Sequence, residues 1–145
     1  VKFMIVGKAS EETEAGVLPS RELVDNMTAF NESLAKAGVL LAAEGLHPSS
    51  RGAQIAYSGG RARVVDGPFA EAKELIAGFW LIQVKSREEA LEWALRVPVP
   101  PGHDGIGLDV WQVYDAQDMP ETSLTPETAQ RHAALRATLD HPAGP

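Results

Sequence analysis

The 145-residue chain contains no cysteine. It therefore has no disulfide framework, no thiolate nucleophile and no cysteine-type zinc site, and the expected setting is intracellular or otherwise independent of thiol chemistry. An excess of positive charge is missing as well. Lys and Arg number 13 against 20 Asp and Glu, a formal net charge of −7. No basic cluster stands ready to neutralise a row of phosphates, so nucleic-acid binding is not expected. No apolar run approaches the roughly 20 residues that a bilayer-spanning helix needs, and the start KFMIVGKASEE lacks the long apolar region of a secretion signal. The expectation is a soluble, cytoplasmic protein with no membrane contact.

What is present suffices for one core, since a chain of this length buries about 70% of the surface it exposes when unfolded. Lys2 to Gly7 is apolar and β-branched enough to read as a buried strand, and the following SEETEAG as a charged, mobile connection. Leu23, Met27, Phe30, Leu34 and Ala37 then form one helical stripe that Gly38 is placed to end. Val39 to Leu46 reads as a second strand. Pro48 closes it and pushes His47 toward extended geometry.

Ala53–Ser58 and Arg61–Val65 flank Gly59-Gly60, a two-residue hairpin signal. Asp66-Gly67-Pro68 ends the second arm, because Gly accepts positive φ and Pro fixes φ while lacking an N–H. Phe79 to Val84 is a further strand. Ser86 with Glu89 predicts a capping box for a helix that Pro98 stops, and Ile106 to Tyr114 is a last strand. The order β-α-β, hairpin, β-α-β predicts an α+β fold, a ferredoxin-like sheet with two helices on one face and an extra β-hairpin.

The composition changes after Asp115. Thr125-Pro126-Glu127 starts a C-terminal helix whose stripe of Ala129, Ala133, Leu135 and Leu139 is thin. The division expected is a domain of residues 1–118 and a helical extension with a loose tail, 119–145. Removal of residues 120–145 is expected to leave the first part folded. Two helices cover one sheet face, and Ile55, Tyr57, Trp80, Ile82, Trp111 and Val113 are expected on the other. An exposed patch of that kind predicts a homodimer packed sheet against sheet, with Trp80 and Trp111 near its interface.

The run DGPFAEAKE, followed by GFWLIQVKSREEALEWALRVP, resembles the DGPF branch of the YCII-related proteins. KFMIVG, AGVLLAAEGLHP and Leu108 to Val113 extend the similarity over roughly residues 2–114. The resemblance implies a ferredoxin-like α+β dimer of the dimeric α/β-barrel type, with a proposed acid–base site. This chain departs from the pattern at Ala72, where a usual member carries Thr. The shorter relatives place a His at the start of the first helix and an Asp in the strand after it. Arg21 to Asn26 contain no His, so that pair does not carry over.

Position nominates a substitute. His47 ends the second strand, and an imidazole exchanges protons near neutral pH. Asp66, at another strand end, could orient it as a carboxylate orients a general base. The plainer readings are a His that caps a loop and an Asp that bonds its own turn amides. Glu44 is an alternative base and a candidate substrate contact. Lys73 could hold an anion, although a surface lysine is more often solvated. Phe69 and Trp80 could pack on a small planar ligand. His103 fits no metal spacing, and neither a metal nor a cofactor is expected. Two functions follow: a small dimeric cavity protein acting as a cofactor-free acid–base lyase or isomerase on a small organic substrate, or a non-enzymatic ligand-binding or regulatory partner protein.

Overall fold

The computed structural model describes residues 1–71, 74–100 and 107–140. The chain divides into two compact units, Val1–Val113 and Tyr114–Pro145. The first holds six strands: β1 (Lys2–Lys8), β2 (Leu40–Gly45), β3 (Ala53–Ser58), β4 (Arg61–Asp66), β5 (Ile76–Gln83) and β6 (Leu108–Gln112). Its helices are α1 (Glu11–Glu14), α2 (Arg21–Lys36) and α3 (Arg87–Ala94). The sheet order β2-β5-β1-β6 is antiparallel throughout, and it interleaves the two β-α-β halves as a ferredoxin-like α+β sheet.

The segment expected as a mobile connection is instead capped. The Ser10 hydroxyl accepts from the Thr13 amide at 3.1 Å, and the Thr13 hydroxyl accepts from the Ser10 amide at 2.7 Å, a reciprocal box that fixes the single turn of α1. At α2 the Ser20 hydroxyl accepts from the Leu23 amide at 3.2 Å. This helix buries Phe30 and Leu34 from the predicted stripe and gives way at Gly38, whose φ of 75° suits a residue without a Cβ. At α3 the Ser86 hydroxyl caps the Glu89 amide as expected, while the Glu89 carboxylate accepts from the Lys85 amide, one residue before the position a capping box would use.

The core lies between one face of the sheet and α2 and α3. Ile5 stands between Trp80 and Val110 across the strands, and Phe3 faces Ile82; Ile5, Leu34 and Ile82 are completely enclosed. Phe30 meets Trp80 edge to face at 5.7 Å between ring centroids, and the Trp80 indole donates to Asn31 Oδ1 at 2.7 Å. The expected open-face position of Trp80 and Ile82 is therefore corrected. Strand alternation separates Trp80 and Ile82 from Phe79 and Leu81, but both pairs are apolar, and nothing local says which pair the helices cover. The opposite face carries Met4, Phe79, Leu81 and Trp111 by register, with Trp111 62% exposed.

The hairpin is corrected too. β3 and β4 form a two-stranded sheet of their own, so Ile55 and Tyr57 do not belong to the main sheet. Gly59 and Gly60 both take positive φ, 58° and 76°, as a tight two-residue hairpin turn demands. The second unit contains a 3-10 turn, Ala116–Asp118, and helix α4, Pro126–Asp140, none of whose residues is buried.

Candidate functional site

At the end of the main sheet three segments meet through Ser49. Its amide donates to Glu14 Oε1 at 2.9 Å, and its hydroxyl donates to Glu14 Oε2 at 2.6 Å. The same hydroxyl oxygen accepts from the Phe69 amide at 3.0 Å. Glu14 ends α1, Ser49 opens the 3-10 turn Ser49–Arg51, and Phe69 follows the Asp66-Gly67-Pro68 turn. One side chain thus ties together stretches that are far apart in sequence, and a carboxylate acceptor makes its bonds the stronger kind.

Glycine is required at the join. The Gly67 amide donates to the Gly52 carbonyl at 3.0 Å, and a Cβ on Gly67 would overlap the Ser49 carbonyl oxygen. The turn can seat against the loop because that position has no side chain. Beneath it, a Cβ on Gly78 would lie 2.9 Å from the Glu44 carbonyl oxygen, so the close pairing of β2 with β5 rests on a second missing side chain. The Leu46 amide then donates to the Ala77 carbonyl at 2.9 Å and carries the pairing one step past Gly45.

These segments border an open cleft of about 440 Å³. Its apolar wall is Leu46, Pro48, Phe69, Leu75 and Ile76, and its polar side chains are Glu14, His47, Ser49, Arg51, Gln54 and Glu74. The volume is at the small end of the range for small-molecule sites, about 300–1,000 Å³. His47 Nε2 lies 3.5 Å from Arg51 Nη1. That length is at the limit of hydrogen-bond reach and fixes no tautomer.

Of the residues nominated by sequence, His47 and Phe69 lie in the cavity wall. Asp66 is exposed at the end of β4, outside that wall, and no hydrogen bond joins it to His47 among the described residues. Glu44 is exposed on β2 opposite Phe79, away from the wall. Trp80 is enclosed in the core and does not reach the cavity. Lys73 and His103 fall outside the described residues. Sequence reading missed Glu14, Ser49 and Arg51. Glu14 sat in a segment read as mobile, and its bond to Ser49 spans 35 positions, a separation over which no local pattern speaks.

Among the described residues no group of three or more His, Asp or Glu side chains could hold a metal ion, and no helix is long and apolar enough to cross a membrane. A family model described as the YCII-related domain matches residues 1–108. An uncharacterised protein of Rhizobium meliloti (strain 1021) is 39% identical over 69 residues, 48% of this chain and 56% of that protein. The chain thus spans little more than half the length of the curated relative it matches. Among solved structures, the 5-chloro-2-hydroxyhydroquinone dehydrochlorinase from Burkholderia phenoliruptrix AC1100, in complex with 2,5-dihydroxybenzoquinone, is similar with a TM-score of 0.44 and 11% identity. The similarity covers 83% of this chain and 100% of that one, and a likeness of this size carries nothing about chemistry.

Proposed function

The chain belongs to the YCII-related family, and from the open cleft at the end of its sheet we propose an acid–base protein, a cofactor-free lyase or isomerase, acting on a small organic ligand. The observation that carries this reading is His47 in the wall of a small, mainly apolar cleft. An unprotonated imidazole nitrogen can take a proton from a carbon beside a carbonyl group, the electron pair moving onto the carbonyl oxygen, and return it at another atom of the ligand. Asp66 is the proposed orienter of Nδ1–H. Its strand ends one residue before the Gly67 amide, which bonds to Gly52 next to Arg51.

A second reading, a binding protein without catalysis, is favoured by one specific feature. His47 is exposed and has no bond to Asp66. Incubation with small carbonyl compounds in D2O separates the two. The acid–base reading expects deuterium to replace a C–H proton faster than in buffer and His47→Ala to abolish the difference. Exchange at the buffer rate for every compound transfers the weight to the binding reading. Ring ¹⁵N shifts test the orienter: Asp66→Asn is expected to mix the His47 tautomers, and an unchanged tautomer removes Asp66 from the site.

We also propose that two copies associate through the sheet face bearing Met4, Phe79, Leu81 and Trp111. Support comes from the 62% exposure of Trp111 beside three apolar neighbours on that face. Light scattering is expected to give twice the 15.5 kDa chain mass, and Trp111→Glu to give the single mass. A wild-type chain that scatters as a monomer at micromolar concentration refutes the dimer.

A further inference from the structure

Resting on the reading of this cavity as the functional site, we infer that its ligand is a small organic anion with an apolar body, its carboxylate held by Arg51 beside His47. Arg51 is the starting point. The ion pair found among the described residues joins Lys8 to Asp109 at 3.0 Å, and Arg51 takes part in none. Its one recorded side-chain contact is the 3.5 Å approach to His47. A guanidinium has five N–H donors in a planar fork, so a single loose contact leaves most of them without a protein acceptor.

Most described basic side chains form no ion pair, so what sets Arg51 apart is its place: among the described residues it is the one Lys or Arg lining this cleft, and it lies beside His47. Two carboxylates do share the cavity wall, but neither neutralises it. Both oxygens of Glu14 are engaged by Ser49, and Glu74, exposed at the rim, forms no ion pair with Arg51. Among the described residues Arg51 is therefore without an ion-pair partner and able to meet an anion that enters the cleft. His47 adds a second group able to donate to an anion when protonated.

The wall decides the rest of the ligand. Leu46, Phe69, Leu75 and Ile76 would gain nothing from a bare inorganic anion, whose other oxygens need water or donors. A carboxylate on a small ring or branched chain satisfies both halves: its two oxygens match the guanidinium fork, and its body covers the apolar wall. The cleft of about 440 Å³ has room for a body of a few carbons or one ring.

Benzoate and benzyl alcohol share a ring and differ in charge, which makes them a matched pair of probes. In ¹⁵N-amide spectra, benzoate is expected to move the signals of Leu46, Ser49, Phe69 and Ile76 saturably. Arg51→Gln should weaken that binding by at least about tenfold, the loss of a charge-assisted, bidentate contact. Benzyl alcohol should bind more weakly and with equal affinity in both proteins. The same spectra report whether the exposed Arg51→Gln variant stays folded, and Arg51→Lys, which keeps the charge without the fork, serves if it does not. Benzyl alcohol binding as tightly as benzoate, or benzoate binding unaltered by loss of the fork, overturns the anion inference and leaves the cavity reading standing. A cavity that takes neither probe overturns both.

Discussion

The main sheet and the β3–β4 ribbon are both made of short strands with apolar residues alternating along them, and they end in opposite conditions. In the sheet, Phe3, Ile5, Trp80 and Ile82 lie under α2 and α3 in the central core. In the ribbon, register puts Ile55 and Tyr57 on the same side as Val64 and Ala62, and there Ile55 is 51%, Val64 64% and Tyr57 81% exposed. Alternation therefore specifies a face and leaves open what covers it. The sheet acquires cover because a helix intervenes between β1 and β2 and another between β5 and β6. The ribbon has neither, and a lone two-stranded hairpin is marginal in water. Its base is held by polar bonds: Gly67 to Gly52, and Phe69 through Ser49 to Glu14.

If this contrast is right, substitutions in the two regions should differ in size and in kind. The largest effect is expected for Ile82→Ala, which empties part of a fully enclosed site and should lower the unfolding free energy by about 2–5 kcal/mol in a urea titration. A loss below about 1 kcal/mol would mean that the helix-covered face is not the main source of stability.

Gly67→Ala comes next. Its Cβ would overlap the Ser49 carbonyl, so the turn or the loop must move, an overpacking loss of about 1–3 kcal/mol with the amide signals of Ser49 and Phe69 displaced. An unshifted spectrum would break the claim that the turn seats on the loop. Glu14→Ala removes the acceptor of two bonds at a half-buried position, and an effect of about 1 kcal/mol in the same titration is expected. Smallest is Tyr57→Ser. On an uncovered ribbon face it should change stability by no more than about 0.5 kcal/mol, and a larger loss would show that a partner covers this face in solution.

The same contrast separates what was legible in the sequence from what was not. The helical stripe ending at Gly38, the Gly59-Gly60 hairpin and the order of the strands with α2, α3 and α4 rest on local rules and appear as read, whereas the single turn α1 was read as a connection. The side to which Trp80 turns was not legible, since both faces of β5 are apolar. Membership of β3 and β4 in a separate sheet was equally hidden, because hairpin signals say nothing about lateral pairing. At the site, the strand end at His47 and the turn before Phe69 could be located from Pro48 and from Gly67-Pro68. The Glu14–Ser49 bond could not, because it is a tertiary contact between two segments whose own patterns read as loops. Arg51 carried no sequence signal either; its interest lies in its place in the cleft wall beside His47.

The central claim is that polar bonds through Ser49, and not a core, hold the ribbon's base and with it the cavity. Native-state hydrogen exchange of the Phe69 amide tests it most directly, with the Ile5 amide as an internal reference in the core sheet. In the wild type the Phe69 amide should be protected by its bond to the Ser49 hydroxyl. In Ser49→Ala it should exchange at least about tenfold faster while the Ile5 amide keeps its rate relative to global unfolding. A Phe69 amide that exchanges freely in the wild type, or one whose protection survives Ser49→Ala, would contradict the account.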